Sequence, residues 1–150
     1  METLHTLLEQ AEQQRNIALA AFNQSRVRRD EARTQARDLE TYRDDYSARW
    51  NGQFRRGATL EVLRSYHQFA ARLELAISQQ TQSVVVCEQA FVRANDVLAA
   101  HELRVASVRK LIERRRNEQR QGIDQSEQRA ADDLAQRMRT QRNPFAGTQL

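Results

Sequence analysis

Apolar residues recur at alternating steps of four and three along most of this chain, and that spacing excludes nearly every fold except a coiled coil. One seam runs Leu4, Leu8, Ala11, Arg15, Ala18, Phe22, Ser25, Arg29, Ala32, Ala36, Leu39, Arg43, Tyr46, Trp50, with ten of fourteen positions apolar. A second runs Leu63, Tyr66, Ala70, Leu73, Ile77, Gln80, Val84, Cys87, Phe91, Ala94, Leu98, His101, Val105, Val108, Ile112, with thirteen of fifteen apolar or aromatic. A period near 3.5 residues held this long specifies helices that pack along a seam rather than a helix lying on a globular core. Composition agrees. With 6% aromatic residues, 29% charged residues, four Gly and one Pro in 150 residues, the chain has little material for a globular core. It is instead rich in residues that lose little entropy in a helix.

The stretch YRDDYSARWNGQFRRG (42–57) separates the two seams. Asn51-Gly52 is expected to end the first helix, Gly57 to give a second flexible point, and Thr59 to cap the second helix. The predicted architecture is therefore all-α: a long antiparallel two-helix coiled-coil hairpin forming one domain over 1–142. Its helices span about 2–50 and 59–140, joined by a turn at 51–58, and the second overhangs the first. If Trp50 meets Thr59, the register places Ala18 opposite Phe91, Ser25 opposite Val84, Ala36 opposite Leu73, and Leu39 opposite Ala70. The same register pairs Arg29 with Gln80, Cys87 with Phe22, and Leu4 with Val105, so that small faces large and polar faces polar. Past Ile112 the pattern decays into ERRRNEQRQG (113–122), Gly122 is a possible kink, and Ala130, Ala131, Leu134, Ala135 and Met138 share one broad face. Residues 143–150 are expected to form a disordered tail.

Charge is unevenly placed. Residues 1–103 carry 13 basic and 14 acidic side chains, and residues 104–150 carry 11 and 6. The longest apolar runs, IALAAF and VVVC, fall far short of the ~20 residues a membrane span requires. No secretory pattern opens the chain, and a single cysteine forms no internal disulfide. A soluble, cytoplasmic protein is expected, with no direct membrane insertion.

Catalysis finds no support. His5, His67 and His101 are scattered, no HExxH or CxxC spacing occurs, and no glycine-rich loop cradles a phosphate. No enzyme activity, cofactor or metal is expected, and Cys87 is read as a packed seam residue. The basic stretches RVRRDEAR (26–33) and RKLIERRR (109–116) are interleaved with acids. The second lies in a region, 92–144, without aromatic rings for base stacking, so no nucleic-acid partner is expected. A solvated charged face, or a surface for a protein of opposite charge, accounts for them.

The aromatic cluster is the most informative feature. Gln35 and Tyr42 each precede a residue of the first seam, and Phe69 and Ala76 each precede a residue of the second. In an antiparallel pair these flanks fall on the same side, so Tyr42 and Phe69 are expected to be partly exposed neighbours, with Leu39, Tyr46 and Leu73 beside them. An apolar patch on a charged surface is a candidate docking site; the alternative is that the rings only shield the seam near the turn.

At LETYRDDY (39–46) and YHQFAARLELAI (66–77) the chain resembles the FliJ family of flagellar export proteins and its type III secretion counterparts. The resemblance extends over essentially the whole chain and implies a cytoplasmic helical hairpin, like the stalk subunit of rotary ATPases, peripherally associated with the inner-membrane export apparatus. It implies that the stalk's terminal end sits in the central hole of a hexameric, FliI-like export ATPase, with Arg109, Arg114, Arg115, Arg116, Leu134 and Met138 at that end. It also implies a patch for an FlhA-like export-gate membrane protein, corresponding to Gln35, Leu39, Tyr42, Tyr46, Phe69, Leu73, Ala76 and Gln80. The last position is often His in the family, so a pH-dependent contact there is not implied for this chain. Export chaperones are further partners the resemblance brings. Alternatives are a stalk for a virulence-type secretion ATPase and, from other classes, a basic nucleic-acid-associated coiled coil or a scaffold dimer.

Overall fold

The computed structural model describes residues 1–142; the tail expected to be disordered, 143–150, lies outside the described residues. Two helices account for the fold: α1, Glu2–Arg55, and α2, Leu60–Arg142, packed as an antiparallel two-helix hairpin. Contacts divide the chain into two compact units, one of Ala11–Leu103 and one combining Met1–Gln10 with the chain from Arg104 on.

In the larger unit, Ala11, Ala18 and Ala32 of α1 and Leu73, Ile77 and Leu98 of α2 are buried. Alanines at these positions give α1 a narrow face against which the bulkier residues of α2 pack. Every α1 seam residue from Ala11 to Trp50 is buried or half-buried, and so is every α2 seam residue from Tyr66 to Leu98. Leu63, expected in the seam, is exposed, and Val62 is half-buried in its place. No buried polar or charged side chain occurs among the described residues. In the smaller unit the buried residues are Val105, Val108 and Ile112, with Leu4 and Leu8 half-buried. From Glu113 to Arg142 every residue is exposed, and the helix runs through Gly122 without interruption.

The link differs from the expected one. Asn51-Gly52 does not end α1, which continues to Arg55; the connection is confined to residues 56–59. The cause is Phe54, whose ring packs 5.6 Å from Trp50 and 5.1 Å from Tyr66 between centroids. That apolar contact outweighs the roughly 1 kcal/mol a glycine costs inside a helix. The left-handed residue is Gly57, with φ of 101°, and the amides of Arg56 and Gly57 close short turns onto the carbonyls of Gln53 and Phe54 at 3.1 and 3.2 Å. Thr59 caps α2 as expected: its Oγ1 accepts from the Val62 amide at 3.4 Å.

A later link moves the register by about one helical turn. Phe22, rather than Ala18, meets Phe91, with centroids 5.1 Å apart. Gln80 does not pair with Arg29; its Nε2 donates to the Ala32 carbonyl at 3.0 Å and to Gln35 Oε1 at 3.3 Å. Arg29 instead lies over the Phe91 ring at 4.0 Å from its centroid, where a cation and an aromatic face attract. Cys87 remains half-buried.

Replacing Ile77 by Ala is expected to cost about 2–4 kcal/mol through lost burial and a residual cavity. Ile17→Ala, at an exposed position, is expected to change stability by no more than about 0.5 kcal/mol. The shift in urea midpoint at constant m reads both.

Candidate functional site

The rings near the link form one connected cluster within the larger unit. Tyr46 is its centre, with centroids 4.6 Å from Phe69, 5.6 Å from Tyr66, 6.1 Å from Trp50 and 6.1 Å from Tyr42. Tyr42 and Phe69 meet edge-on at 6.4 Å, so the two helices bring these neighbours together as their flanking positions require. Tyr42 keeps 51% of its surface exposed and Phe69 37%. An edge-to-face pair with both rings half in water leaves apolar area available while fixing its geometry.

The eight residues of the implied gate patch fall into three groups. Gln35, Tyr42 and Phe69 are exposed; Leu39, Tyr46, Ala76 and Gln80 are half-buried. Leu73 is only 7% exposed. It belongs to the seam and lines a shallow groove with Arg43, Tyr46, Ser47, Tyr66 and Glu74. With so little of its surface exposed, it contributes to the patch mainly as support. The Gln80 amide is likewise committed, since its bonds to Ala32 and Gln35 hold both glutamines in place.

Ion pairs frame this unit. Arg43 binds Asp44 at 3.1 Å and Glu74 at 3.4 Å, and Asp44 first, then Glu74, raises its guanidinium above the ordinary value. Arg33 forks onto Glu88 through its Nε at 2.8 Å and through Nη2. Both interhelical pairs are exposed, and such pairs contribute little stability individually. They tie Arg33 and Arg43 of α1 to α2.

In the smaller unit, Arg109, Arg114, Arg115, Arg116, Leu134 and Met138 are all exposed. Arg109 and Arg116 line a shallow groove with His5, Leu8, Ile112 and Arg120. Leu134 and Met138 lie farther along the helix, away from that groove. The basic segment thus offers a row of charges and, separately, an apolar face.

Other chemistry is sparse. Among the described residues no group of three or more His, Cys, Asp or Glu is placed to hold a metal ion, and no helix is long and apolar enough to cross a membrane. His67 is in ring contact with Tyr66 at 5.4 Å, while His5 and His101 lie elsewhere on the chain.

The family model for the flagellar FliJ protein matches residues 1–144. The chain belongs to the FliJ family. No curated protein and no solved structure matches it. Membership makes it a component of flagellar, type III protein export, and a two-helix coiled-coil hairpin is the architecture on which this FliJ sequence presents its ring cluster.

Sequence reasoning missed two contributors to that cluster, Phe54 and the Tyr66–Ser47 hydroxyl contact at 3.5 Å. Both depend on where the link falls. Because Tyr46 touches four rings, Tyr46→Ala is expected to lower stability by about 2–4 kcal/mol, whereas Tyr42→Ala is expected to cost about 1 kcal/mol or less. Thermal unfolding followed by circular dichroism separates the two.

Proposed function

We propose that this FliJ-family chain is a non-enzymatic, stalk-like coiled coil that binds the hexameric export ATPase and links it to the membrane export gate. The observation that carries the reading is the exposed Tyr42–Phe69 pair. In a helical hairpin that exposes many charged side chains, two rings that keep 51% and 37% of their surface exposed and meet edge to face form a preorganised apolar contact, the kind of anchor that dominates protein interfaces. Gln35, Leu39, Ala76 and the shoulder of Tyr46 extend it. The gate is the partner assigned to this patch.

The ATPase is assigned to the exposed segment beyond Ile112. A helix whose described residues are all exposed, carrying Arg114, Arg115 and Arg116 and then an apolar face at Leu134 and Met138, suits a ring that supplies acidic and apolar contacts from several subunits at once. No step of chemistry is assigned to the chain itself. Its role is to couple assembly or cycling of the ATPase to the gate, as a peripheral member of the export apparatus. Export chaperones are further candidate partners without assigned residues.

The flagellar system is favoured over a virulence-type one because the matching family is described by its flagellar member. A nucleic-acid reading is not favoured. Glu113 and Glu118 interrupt the basic run, and exposed rings for stacking are absent from it.

Tyr42→Ala with Phe69→Ala is expected to weaken gate binding by about tenfold or more while sparing ATPase binding. Removing residues 113–150 is expected to abolish ATPase stimulation and leave gate binding intact. Calorimetry against the purified gate domain and a phosphate-release assay with the ATPase measure the two. Equal stimulation by the truncated chain would count against this division of roles.

A further inference from the structure

We infer that residues 123–142 of α2 pair antiparallel, about a two-fold axis, with the same segment of a second copy of this chain. The pairing is a property of the chain alone and its test needs no other protein, so it stands or fails separately from the contacts proposed above.

The segment is self-complementary in shape. Ile123, Glu127, Ala130, Ala131, Leu134 and Met138 are separated by four, three, one, three and four residues, a spacing that reads the same in either direction about a point between the two alanines. At 100° per residue all six fall within an arc of about 100°, so they form one stripe along the helix. A two-fold axis through its midpoint lays the stripe on itself reversed, which is what an isologous interface requires. Ile123 then faces Met138, Leu134 faces Glu127, and Ala130 faces Ala131, where small side chains allow close approach. Ile123, Leu134 and Met138 keep 58%, 56% and 59% of their surface exposed, and both alanines are exposed. The stripe is open along its length.

Charge selects the occupant and its direction. Residues 123–132 carry three acidic side chains and one basic, whereas residues 133–142 carry one acidic and three basic. The segment as a whole is neutral, but its two halves are opposite in sign. With Ile123 facing Met138, Asp124 lies within a turn of Arg139 on the other copy, and Glu127 within a turn of Arg137; symmetry repeats both pairs. Such flanking charges set orientation in helix pairs. A parallel pair brings Asp124 and Glu127 beside their own copies, and the arginines likewise, so it is disfavoured. Among the described residues none of these four side chains is in an ion pair. An anionic membrane is poorly matched by a stripe that holds Glu127 and borders Asp124. The contact covers only about 30 Å of helix, which places it in the weak, transient class of interfaces. A chain engaged in it has Leu134 and Met138 covered, and so withheld from any other partner.

Sedimentation equilibrium of the full chain from about 10 µM to about 1 mM is expected to show a monomer–dimer equilibrium that weakens with added salt. Asp124→Arg with Glu127→Arg, and separately Arg137→Glu with Arg139→Glu, are each expected to raise the dissociation constant about tenfold or more, with helicity by circular dichroism unchanged. An equimolar mixture of these two variants is expected to pair as well as the unaltered chain, because every acidic position then meets a basic one across the interface. A chain that stays monomeric over the whole range overturns the proposal. So does self-association that survives removal of residues 123–150, that the charge reversals leave unchanged, or that the mixture fails to restore.

Discussion

A pair of helices has only a line of contact to share, and everything else in this protein follows from how that line is filled. Among the described residues there is no third layer, so burial is confined to the seam and the positions beside it are covered at most in part. Ala11, Ala18 and Ala32 let α2 come close, and Leu73, Ile77 and Leu98 occupy the space this creates. The flanking positions, which would be interior in a larger bundle, remain at the surface. That is why a ring cluster in this protein stabilises the fold and remains reachable from water at the same time.

The two seams were legible in the sequence because spacing alone determines which face of a helix is buried. The seam residues counted from Ala11 to Trp50 are all buried or half-buried, polar members such as Arg15 and Arg29 included. Register was not legible in the same way. An alternating three-four pattern fits its partner at several offsets, and the choice among them depends on where the chain turns. Asn51-Gly52 carries the local chemistry of a turn, yet Phe54 sits one turn later and finds Trp50 and Tyr66. Tertiary contact overrode local preference there, and the partners of Phe91 and Gln80 changed with it.

The same distinction governs the candidate site. The neighbourhood of Tyr42 and Phe69 was readable because adjacent flanks of an antiparallel pair must meet, and a shift of one turn leaves them on the same side. The burial of Leu73 was equally implied by its seam position, but treating it as part of a surface patch set that aside. Tyr46 belongs to both descriptions. It is a seam residue by spacing and a shoulder of the patch by exposure, so a loss of binding on its removal would not by itself distinguish contact from support.

Every described residue of the helix beyond Ile112 is exposed, and this has a consequence for any surface that contacts it. Its backbone is held by the hydrogen bonds of the helix, without the packing that the seam supplies upstream. Yet the arginines, glutamates, glutamines and alanines along it are good helix formers, and the seam upstream supplies a nucleus from which helix propagates. A surface that closes on Leu134 and Met138 would therefore meet a segment already helical. Less of the contact energy is then lost to conformational restriction.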